Sequence, residues 1–356
     1  MTVYNFSPGP AILPKFVKDK LIEAILNYEN SGIGIGELSH RSELFSKLVS
    51  EAENKILDIT ELDKNNYKVL FLQGGATQQF AMMPMNFLTK EKKAAFVLSG
   101  VWAKKAYENA LHYGQAEVIA KSEDFKTIPI FKTDSLSNYE YLHLTSNNTI
   151  YGTSLSELPE ADTPIFCDTS SDFLSRKMKF SNASLLYACA QKNLGVSGVT
   201  VVIIKKNLLD KTNNIPDIFN YRIHADKSSC FNTPTSIGIL ATSLTIDWIN
   251  NNGGLKAIEA QNIKKADYIY SILDSHDCFI PFAEKKTRSK MNITFNVKNE
   301  NLQLKLSKLA KDNNFLFLDG HRSVGGFRIS IYNAQSYSNC KAAADFLKDF
   351  AEKYAN

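Results

Sequence analysis

Lys192 is the residue whose position in the sequence most clearly suggests chemistry. It lies in the stretch YACAQKNLGVSG (187–198), where an apolar run ends at Gln191 and Lys192 and gives way to glycines. Lysine is almost never fully buried without a partner, because removing an ammonium group from water costs a large free energy. Lys192 is therefore expected either at an exposed strand end or in a dry pocket where its amine reacts.

Two further clusters of polar and small residues follow predicted strands. In PIFCDTSSD (164–172), Asp168 closes an apolar run, and in FLQGGATQQF (71–80), Gly74 and Gly75 precede a predicted helix. Asp168 could cap a helix, and the glycines could form an ordinary turn between a strand and a helix. Alternatively, the carboxylate could pair with a cationic ring nitrogen, and the glycine turn with the helix N-terminus could bind an anion.

A lysine, a strand-end aspartate and a glycine turn are together the components of a pyridoxal phosphate (PLP) site. The lysine would bond to the cofactor aldehyde, the aspartate would keep the pyridine nitrogen protonated, and the turn would bind the phosphate. The apolar run before Lys192 would keep its amine dry, which favours the reactive neutral form. Trp102, in SGVWAKK, follows another predicted strand. Its ring either stacks on the pyridine or belongs to the core.

The arginines indicate an anionic substrate. Only six of the 41 lysines and arginines are arginine, and two of these directly follow a histidine, in the pairs His40–Arg41 and His321–Arg322. Arg328 lies close to the second pair in glycine-rich sequence. The planar arginine fork matches carboxylate and phosphate oxygens. The pattern predicts a substrate with at least two anionic groups, and surface salt bridges are the alternative.

Composition excludes several other classes of protein. The 356 residues are 44% hydrophobic and 22% charged, which is typical of a globular enzyme of about two domains. The net charge of +4 is too small and too dispersed for nucleic-acid binding. Five scattered cysteines without a CxxC pair favour neither a disulfide framework nor a metal site, and Cys167 and Cys189 are predicted to be core residues. No signal-peptide pattern or membrane-length apolar run is present, so a cytoplasmic location is expected.

The elements that must position these residues follow an α/β pattern. Apolar strands are predicted at 67–73, 93–100, 116–122, 141–146, 163–168, 184–191 and 198–206. Helical patterns between several of them indicate a mostly parallel sheet covered by helices on both faces. The long helical pattern at 255–274 leads into a smaller α+β region. We predict a large domain at 12–250 and a small C-terminal domain at 251–356, with the segment 1–11 associated with it.

The chain resembles a known family over residues 4–354. The motifs that carry the resemblance occur in order as NFSPGPA, SHRS, YKVLFLQGGATQQF, SGVWAKKA, CDTSSDFLSR, YACAQKNLGVSG, FNTPTS, RSKMNITF and GHRSVGGFRISIYNA. Together they are similar to the phosphoserine aminotransferase family, whose members are fold-type-I, PLP-dependent enzymes of the class V aminotransferases. The resemblance implies a homodimer with two active sites at the subunit interface.

The resemblance also implies a role for each matching residue. The catalytic residues that it implies are Lys192, which bonds to the cofactor, and Asp168, which pairs with the pyridinium. Contacts to the cofactor ring and its hydroxyl are implied for Trp102 and Thr149. Contacts to the cofactor phosphate are implied for Ala76, Thr77, Ser170 and Gln191, and from the neighbouring subunit for Asn232 and Thr233. Binding of the substrate's anionic groups is implied for His40, Arg41, His321, Arg322 and Arg328.

The implied reaction converts 3-phosphohydroxypyruvate and L-glutamate to O-phospho-L-serine and 2-oxoglutarate, a step of serine biosynthesis. Members of the family also use the related 4-phosphohydroxythreonine substrate in pyridoxine biosynthesis. In some members an arginine stands where this chain has Thr77. The alternatives are an alanine–glyoxylate or serine–glyoxylate aminotransferase, a cysteine desulfurase, and a non-catalytic protein of the same fold that binds a phosphate ligand.

Overall fold

The computed structural model describes residues 2–355. Its strands are β1 (Tyr4–Asn5), β2 (Tyr67–Leu72), β3 (Lys93–Leu98), β4 (Gln115–Lys121), β5 (Leu142–Thr145), β6 (Asn147–Asn148), β7 (Thr153–Ser154), β8 (Ile165–Asp168), β9 (Leu185–Cys189), β10 (Thr200–Lys205), β11 (Phe279–Pro281), β12 (Asn292–Val297), β13 (Phe315–Leu316) and β14 (Phe327–Ser330). Its α-helices are α1 (Lys15–Leu26), α2 (Glu43–Thr60), α3 (Gly75–Phe87), α4 (Val101–Ala110), α5 (Ala190–Asn193), α6 (Lys206–Leu209), α7 (Tyr221–Asp226), α8 (Ser236–Asn251), α9 (Gly254–Ser275), α10 (Glu300–Asp312) and α11 (Tyr337–Tyr354).

A seven-stranded sheet forms the centre of the fold, with the strand order β2-β10-β9-β8-β5-β3-β4. Its strands are the seven that the apolar runs predict, with ends shifted by a few residues. Neighbouring strands pair in parallel except β10, which is antiparallel to both β2 and β9. The predicted mostly parallel α/β sheet is therefore confirmed.

Helices cover both faces of this sheet, because its strands are apolar on both sides. One face packs against α1, α2 and α8, and the other packs against α3, α4 and α7. In α2 the buried residues recur at helical spacing, for example at Phe45, Leu48, Val49 and Ala52, and Ser42 caps its N-terminus by accepting a hydrogen bond from the amide of Phe45. The apolar stripe of each covering helix thus holds it against the sheet.

The C-terminal region has a core of its own. The antiparallel strands β11, β12 and β14 pack with α9 and α11 around buried side chains that include Ile269, Ile293 and Phe350. The N-terminal segment joins this region, because β1 pairs in parallel with β13 and Phe6 is buried in the same core. The domain boundaries proposed from the sequence stay a prediction.

The carboxyl ends of β2, β3, β5, β8 and β9 lead into the turns that carry the predicted site residues. Parallel strands end at the same edge of a sheet, so residues distant in sequence are brought together there. Within residues 2–355, none of the helices combines the length and the apolar character that crossing a membrane requires.

Candidate active site

A cavity of about 590 Å³ lies at the carboxyl edge of the central sheet. The predicted site residues that line it are Ala76, Thr77, Trp102, Thr149, Asp168, Ser170, Gln191, Lys192, His321 and Arg328. These residues come from five turns of the large sheet and from the C-terminal region, so the fold assembles them from across the whole sequence.

Lys192 lies in the short helix α5, directly after β9. The sequence predicts that the strand continues to residue 191, but it ends at Cys189, and the helical turn aims the lysine at the cavity instead. The N-terminal segment covers the lysine. A Cβ atom added at Gly9 would lie 3.7 Å from the Cγ atom of Lys192, and the amide of Ala11 donates a hydrogen bond to the carbonyl of Gln191 (2.8 Å).

Asp168 is a buried carboxylate at the end of β8. Its Oδ1 atom accepts a hydrogen bond from the amide of Ser170 at 2.9 Å. Burial raises the pKa of Asp168, while the positive charge of Lys192 and the hydrogen bonds from Ser170 act in the opposite direction. The segment that follows Asp168 forms turns and not a helix, so the helix-cap alternative is wrong. A buried carboxylate that has a cation within electrostatic range is suited to hold a protonated ring nitrogen.

The glycine turn after β2 opens α3 toward the same cavity. Gly74 has φ +85°, and a Cβ atom there would lie 2.1 Å from the Oε1 atom of Gln78, so the turn requires glycine. Gly74 is also the N-cap of α3 and provides no side chain to bond the first amides of the helix. The amide of Ala76 instead points to the cavity side, where it meets the Sγ atom of Cys189 at 3.1 Å. Such free amides at a helix N-terminus are suited to bind a phosphate.

Trp102 lies in the first turn of α4 and borders the cavity. Its Nε1 atom donates a hydrogen bond to the Oγ1 atom of Thr149 at 3.2 Å, which fixes the orientation of the indole ring. The ring also packs partly against the apolar core of the sheet. The core alternative therefore describes part of its environment, and stacking of the indole on a pyridine ring stays a prediction.

Arg328 lines the cavity from β14, in the C-terminal region. It is buried, its Nη1 atom donates a hydrogen bond to the carbonyl of Thr149 (3.0 Å), and its Nε atom has no partner among residues 2–355. His321 lies close by, and burial together with the charges of Arg328, Arg322 and Lys105 lowers its pKa. This end of the cavity is therefore strongly cationic, with an unsatisfied buried donor, and is suited to a carboxylate or phosphate.

Ion pairs divide the six arginines into two groups. Arg176, Arg222 and Arg288 each pair with aspartate. Over residues 2–355, neither Arg41 nor Arg322 nor Arg328 has an acidic partner, so the salt-bridge alternative does not describe the three arginines that the sequence singles out.

Five of the predicted residues do not line the cavity of their own chain. They are His40, Arg41, Asn232, Thr233 and Arg322. The side chain of Asn232 donates a hydrogen bond to the Oε1 atom of Gln73 (3.0 Å), the residue before Gly74 of the cavity lining. For Asn232 and Thr233 the resemblance implies a role in the neighbouring subunit, and that role stays a prediction.

Other residues line the cavity that the sequence did not single out. They are Pro8, Gly9, Asn147, Ile150, Ser171, Cys189, Gly198 and Val199, and they join the expected glycine pair Gly74 and Gly75. Cys167 is a core residue as predicted, whereas Cys189 is buried at the cavity wall. The motif NFSPGPA was the one sequence signal for Pro8 and Gly9, whereas a thiol in an apolar strand carries no signal that distinguishes a wall from a core.

The residues present fit PLP. One amine, one buried carboxylate beside it, an aromatic ring and an uncapped helix N-terminus all border one cavity. This set matches the aldehyde, the ring nitrogen, the ring face and the phosphate of the cofactor.

Comparisons with known proteins agree with this geometry. The family model described as aminotransferase class-V matches residues 3–342. The chain is 42% identical over 353 residues to a phosphoserine aminotransferase of Bacillus subtilis, covering 98% of each chain. A solved phosphoserine aminotransferase from Bacillus circulans subsp. alkalophilus superposes with a TM-score of 0.95 at 39% identity, covering 99% of each chain. A PLP-bound phosphoserine aminotransferase from Trichomonas vaginalis gives a TM-score of 0.91 at 30% identity, covering 98% of this chain and 100% of that one.

Proposed function

The chain belongs to the class-V aminotransferase family, and on this premise we propose that it transfers the amino group of L-glutamate to 3-phosphohydroxypyruvate. The products are O-phospho-L-serine and 2-oxoglutarate, and the cofactor is PLP. The observation that carries the proposal is the cavity in which Lys192 and Asp168 lie together while Arg328 and His321 face the same space. It combines a site for PLP with a site for an anionic substrate.

Lys192 is the proposed acid–base group. When bound, PLP supplies an electrophilic aldehyde and a ring that stabilises the electron pair left at the substrate Cα. The Nζ atom of Lys192 would remove the proton from that Cα and deliver it to the aldehyde carbon of the cofactor. Asp168 would hold the protonated ring nitrogen, and the backbone around Gly9 would limit the access of water to the lysine stem.

The cationic end of the cavity is the proposed substrate site. Arg328 lines the cavity, and its Nε atom has no hydrogen-bond partner among residues 2–355, so its guanidinium is proposed to bind the α-carboxylate that all substrates of the reaction share. His40, Arg41, His321 and Arg322 are proposed to bind the substrate phosphate in one half-reaction and the glutamate side-chain carboxylate in the other. Among residues 2–355, Arg41 and Arg322 have no acidic partner, which supports this role.

Two further proposals concern the assembly and the reaction partners. A homodimer would bring Asn232 and Thr233 of one chain to the cofactor phosphate of the other, since neither lines its own cavity. Turnover of a 4-phosphohydroxythreonine-type substrate is also proposed, because the same anion site would accept it. The cytoplasmic location stays a prediction.

The test is a single half-reaction of the purified PLP-loaded protein. We expect O-phospho-L-serine and L-glutamate to convert the visible absorption band of the bound cofactor, and L-alanine and L-serine to do so at least about 100-fold more slowly, because they lack the second anionic group. Faster conversion by L-alanine or L-serine would favour the glyoxylate aminotransferases. No conversion by any amino acid would favour the non-catalytic alternative.

Lys192→Ala tests whether Lys192 is the acid–base group and the residue that bonds to the cofactor. It should abolish the half-reaction with every amino donor, and borohydride should no longer attach the cofactor to the protein. Normal conversion by this variant would refute the role of Lys192.

A further inference from the structure

The thiol of Cys189 accepts hydrogen bonds from two groups that the sequence resemblance assigns to the cofactor phosphate. Cys189 ends β9 and is only 5% exposed, at the wall of the cavity. The amide of Ala76 donates a hydrogen bond to its Sγ atom at 3.1 Å, and the hydroxyl of Ser170 donates to the same atom at 3.5 Å. Ala76 and Ser170 are two of the residues proposed to contact the phosphate.

These two donors cannot serve the thiol and the phosphate at full strength together. Each group offers a single hydrogen, and thiol sulfur is a weak acceptor compared with a phosphate oxygen. The phosphate also gains from the N-terminus of α3, whose dipole and free amides favour an anion over a neutral thiol. A bound phosphate should therefore take both donors from Cys189.

The surroundings of Cys189 allow its thiol to lose the hydrogen bonds from Ala76 and Ser170. A Cβ atom added at Gly75 would lie 3.7 Å from Sγ, so glycine at this position leaves a gap beside the sulfur. The backbone of Cys189 remains fixed in β9, where its amide donates to the hydroxyl of Ser170 (3.3 Å). Only the side chain of Cys189 would then have to rotate to release the amide of Ala76.

We propose that Cys189 acts as an internal substitute for the cofactor phosphate. Its thiol holds the amide of Ala76 and the hydroxyl of Ser170 while no anion is bound, and it competes with the phosphate for both. The proposal rests on the proposed function in that the competing anion is the phosphate of PLP. Cys189 is a positioning residue, since it acts through Ala76 and Ser170.

The first test compares cofactor binding by the full-length wild type and Cys189→Ala after removal of PLP. Because a competing hydrogen bond is lost, the variant should bind PLP about three- to tenfold more tightly. It should bind pyridoxal, which has the same ring and aldehyde but no phosphate, with unchanged affinity. Cys230→Ala is the matched control, because Cys230 is a half-buried free cysteine that does not line the cavity. Unchanged or weaker PLP binding by Cys189→Ala would overturn the proposal, as would an equal gain for pyridoxal.

The second test uses alkylation of Cys189 by iodoacetamide, measured by peptide mass spectrometry. Inorganic phosphate alone should slow the labelling of Cys189 in the PLP-depleted protein by about tenfold and leave Cys230 unaffected. Labelling of Cys189 that phosphate does not change would contradict the proposal. Neither test measures transamination, so a protein that fails with O-phospho-L-serine yet shows both effects would refute the proposed function and leave the role of Cys189 intact.

Discussion

Two buried aspartates only four positions apart have different surroundings. Asp168 borders the cavity and is within electrostatic range of Lys192, whereas Asp172 lies behind it and is held by the hydroxyl of Ser146 and by Arg176. Burial raises the pKa of both carboxyl groups. A protonated ring nitrogen of the cofactor would therefore stabilise the charge of Asp168, while Asp172 already has its cation.

Asp168→Asn should separate cofactor attachment from catalysis. Loss of one partner of a buried ion pair costs about 3–5 kcal/mol, so the rate of the half-reaction should fall at least about 100-fold. Lys192 is unchanged, so borohydride should still fix the cofactor to the protein. Asp172→Asn is the control, and it should lower stability with a much smaller effect on the rate. Equal rate losses in both variants would contradict the assignment.

At the scale of elements, the N-terminal segment closes the cavity over Lys192. Gly9 has φ +143°, a conformation that side chains rarely adopt, and a Cβ atom added there would lie 3.7 Å from the Cγ atom of Lys192. The hydroxyl of Tyr332 donates a hydrogen bond to the carbonyl of Pro8 (2.7 Å), so the C-terminal region holds this segment in place.

Gly9→Ala should therefore lower activity by more than its effect on stability explains. The added methyl group would strain the backbone and would lie in van der Waals contact with the stem of Lys192, at 3.7 Å, which restricts its movement. We expect about a tenfold loss in the half-reaction rate for about 1 kcal/mol of stability. Gly32→Ala is the control, because Gly32 has φ +82° with no atom within 4 Å of the added Cβ. Stopped-flow rates and urea unfolding of both variants measure the difference. Equal rates for the two would show that the contact with Lys192 is unimportant.

Helix α9 carries a buried lysine that fixes the loop after β14. The Nζ atom of Lys265 donates hydrogen bonds to the carbonyls of Ile331 and Tyr332 at 3.0 Å and of Gln335 at 3.1 Å. In the same loop the amide of Asn333 donates to Asn193, the neighbour of Lys192. Lys265 thus links the C-terminal region to the catalytic helix α5.

Lys265→Met should reduce stability, and the reduction should grow with pH. Burial lowers the pKa of Lys265 to about 8, below its ordinary value of 10.5. Between these two values the unfolded chain binds the proton more strongly, so the wild type gains stability as the pH rises, and the variant lacks this gain. The difference in unfolding free energy should increase by up to about 3 kcal/mol from pH 7 to pH 10. Urea unfolding at several pH values measures it, and a difference independent of pH would contradict the prediction.

At the scale of the whole molecule, the sequence predicted those features of the fold and the site that depend on the local pattern of apolar and polar residues. Apolar runs gave the seven strands of the main sheet, and the polar residues at their ends gave Lys192 and Asp168. The reversed direction of β10 was not predicted, because an apolar run contains no information about strand direction. The short strands β1 and β13 were also missed, since two residues are too few for a periodicity.

Contacts between residues far apart in the sequence could not be predicted from the sequence pattern. The bond between Ala76 and Cys189 spans 113 positions and exists only because β2 and β9 are held in one sheet on either side of β10. The arginines were recognised by their rarity, whereas their separation from acidic side chains is a property of the folded chain. The position of Arg41 outside the cavity of its own chain is likewise a property of the folded chain that the sequence pattern did not predict.

Arg41 does not line the cavity of its own chain, so we predict that it binds substrate in the cavity of a second copy and that the site is completed within a homodimer. A heterodimer of one Lys192→Ala chain and one Arg41→Gln chain, isolated by two different tags, should contain one complete site of two. Its activity should be about half that of the wild type, while each variant homodimer is nearly inactive. A heterodimer of a wild-type chain and a chain with both substitutions is the matched control, because it carries the same changes in another arrangement. If Arg41 acts across the interface, this control has no complete site and should be nearly inactive. The reverse pattern of activities would show that Arg41 serves its own chain, and the proposed sharing of the site would then be wrong.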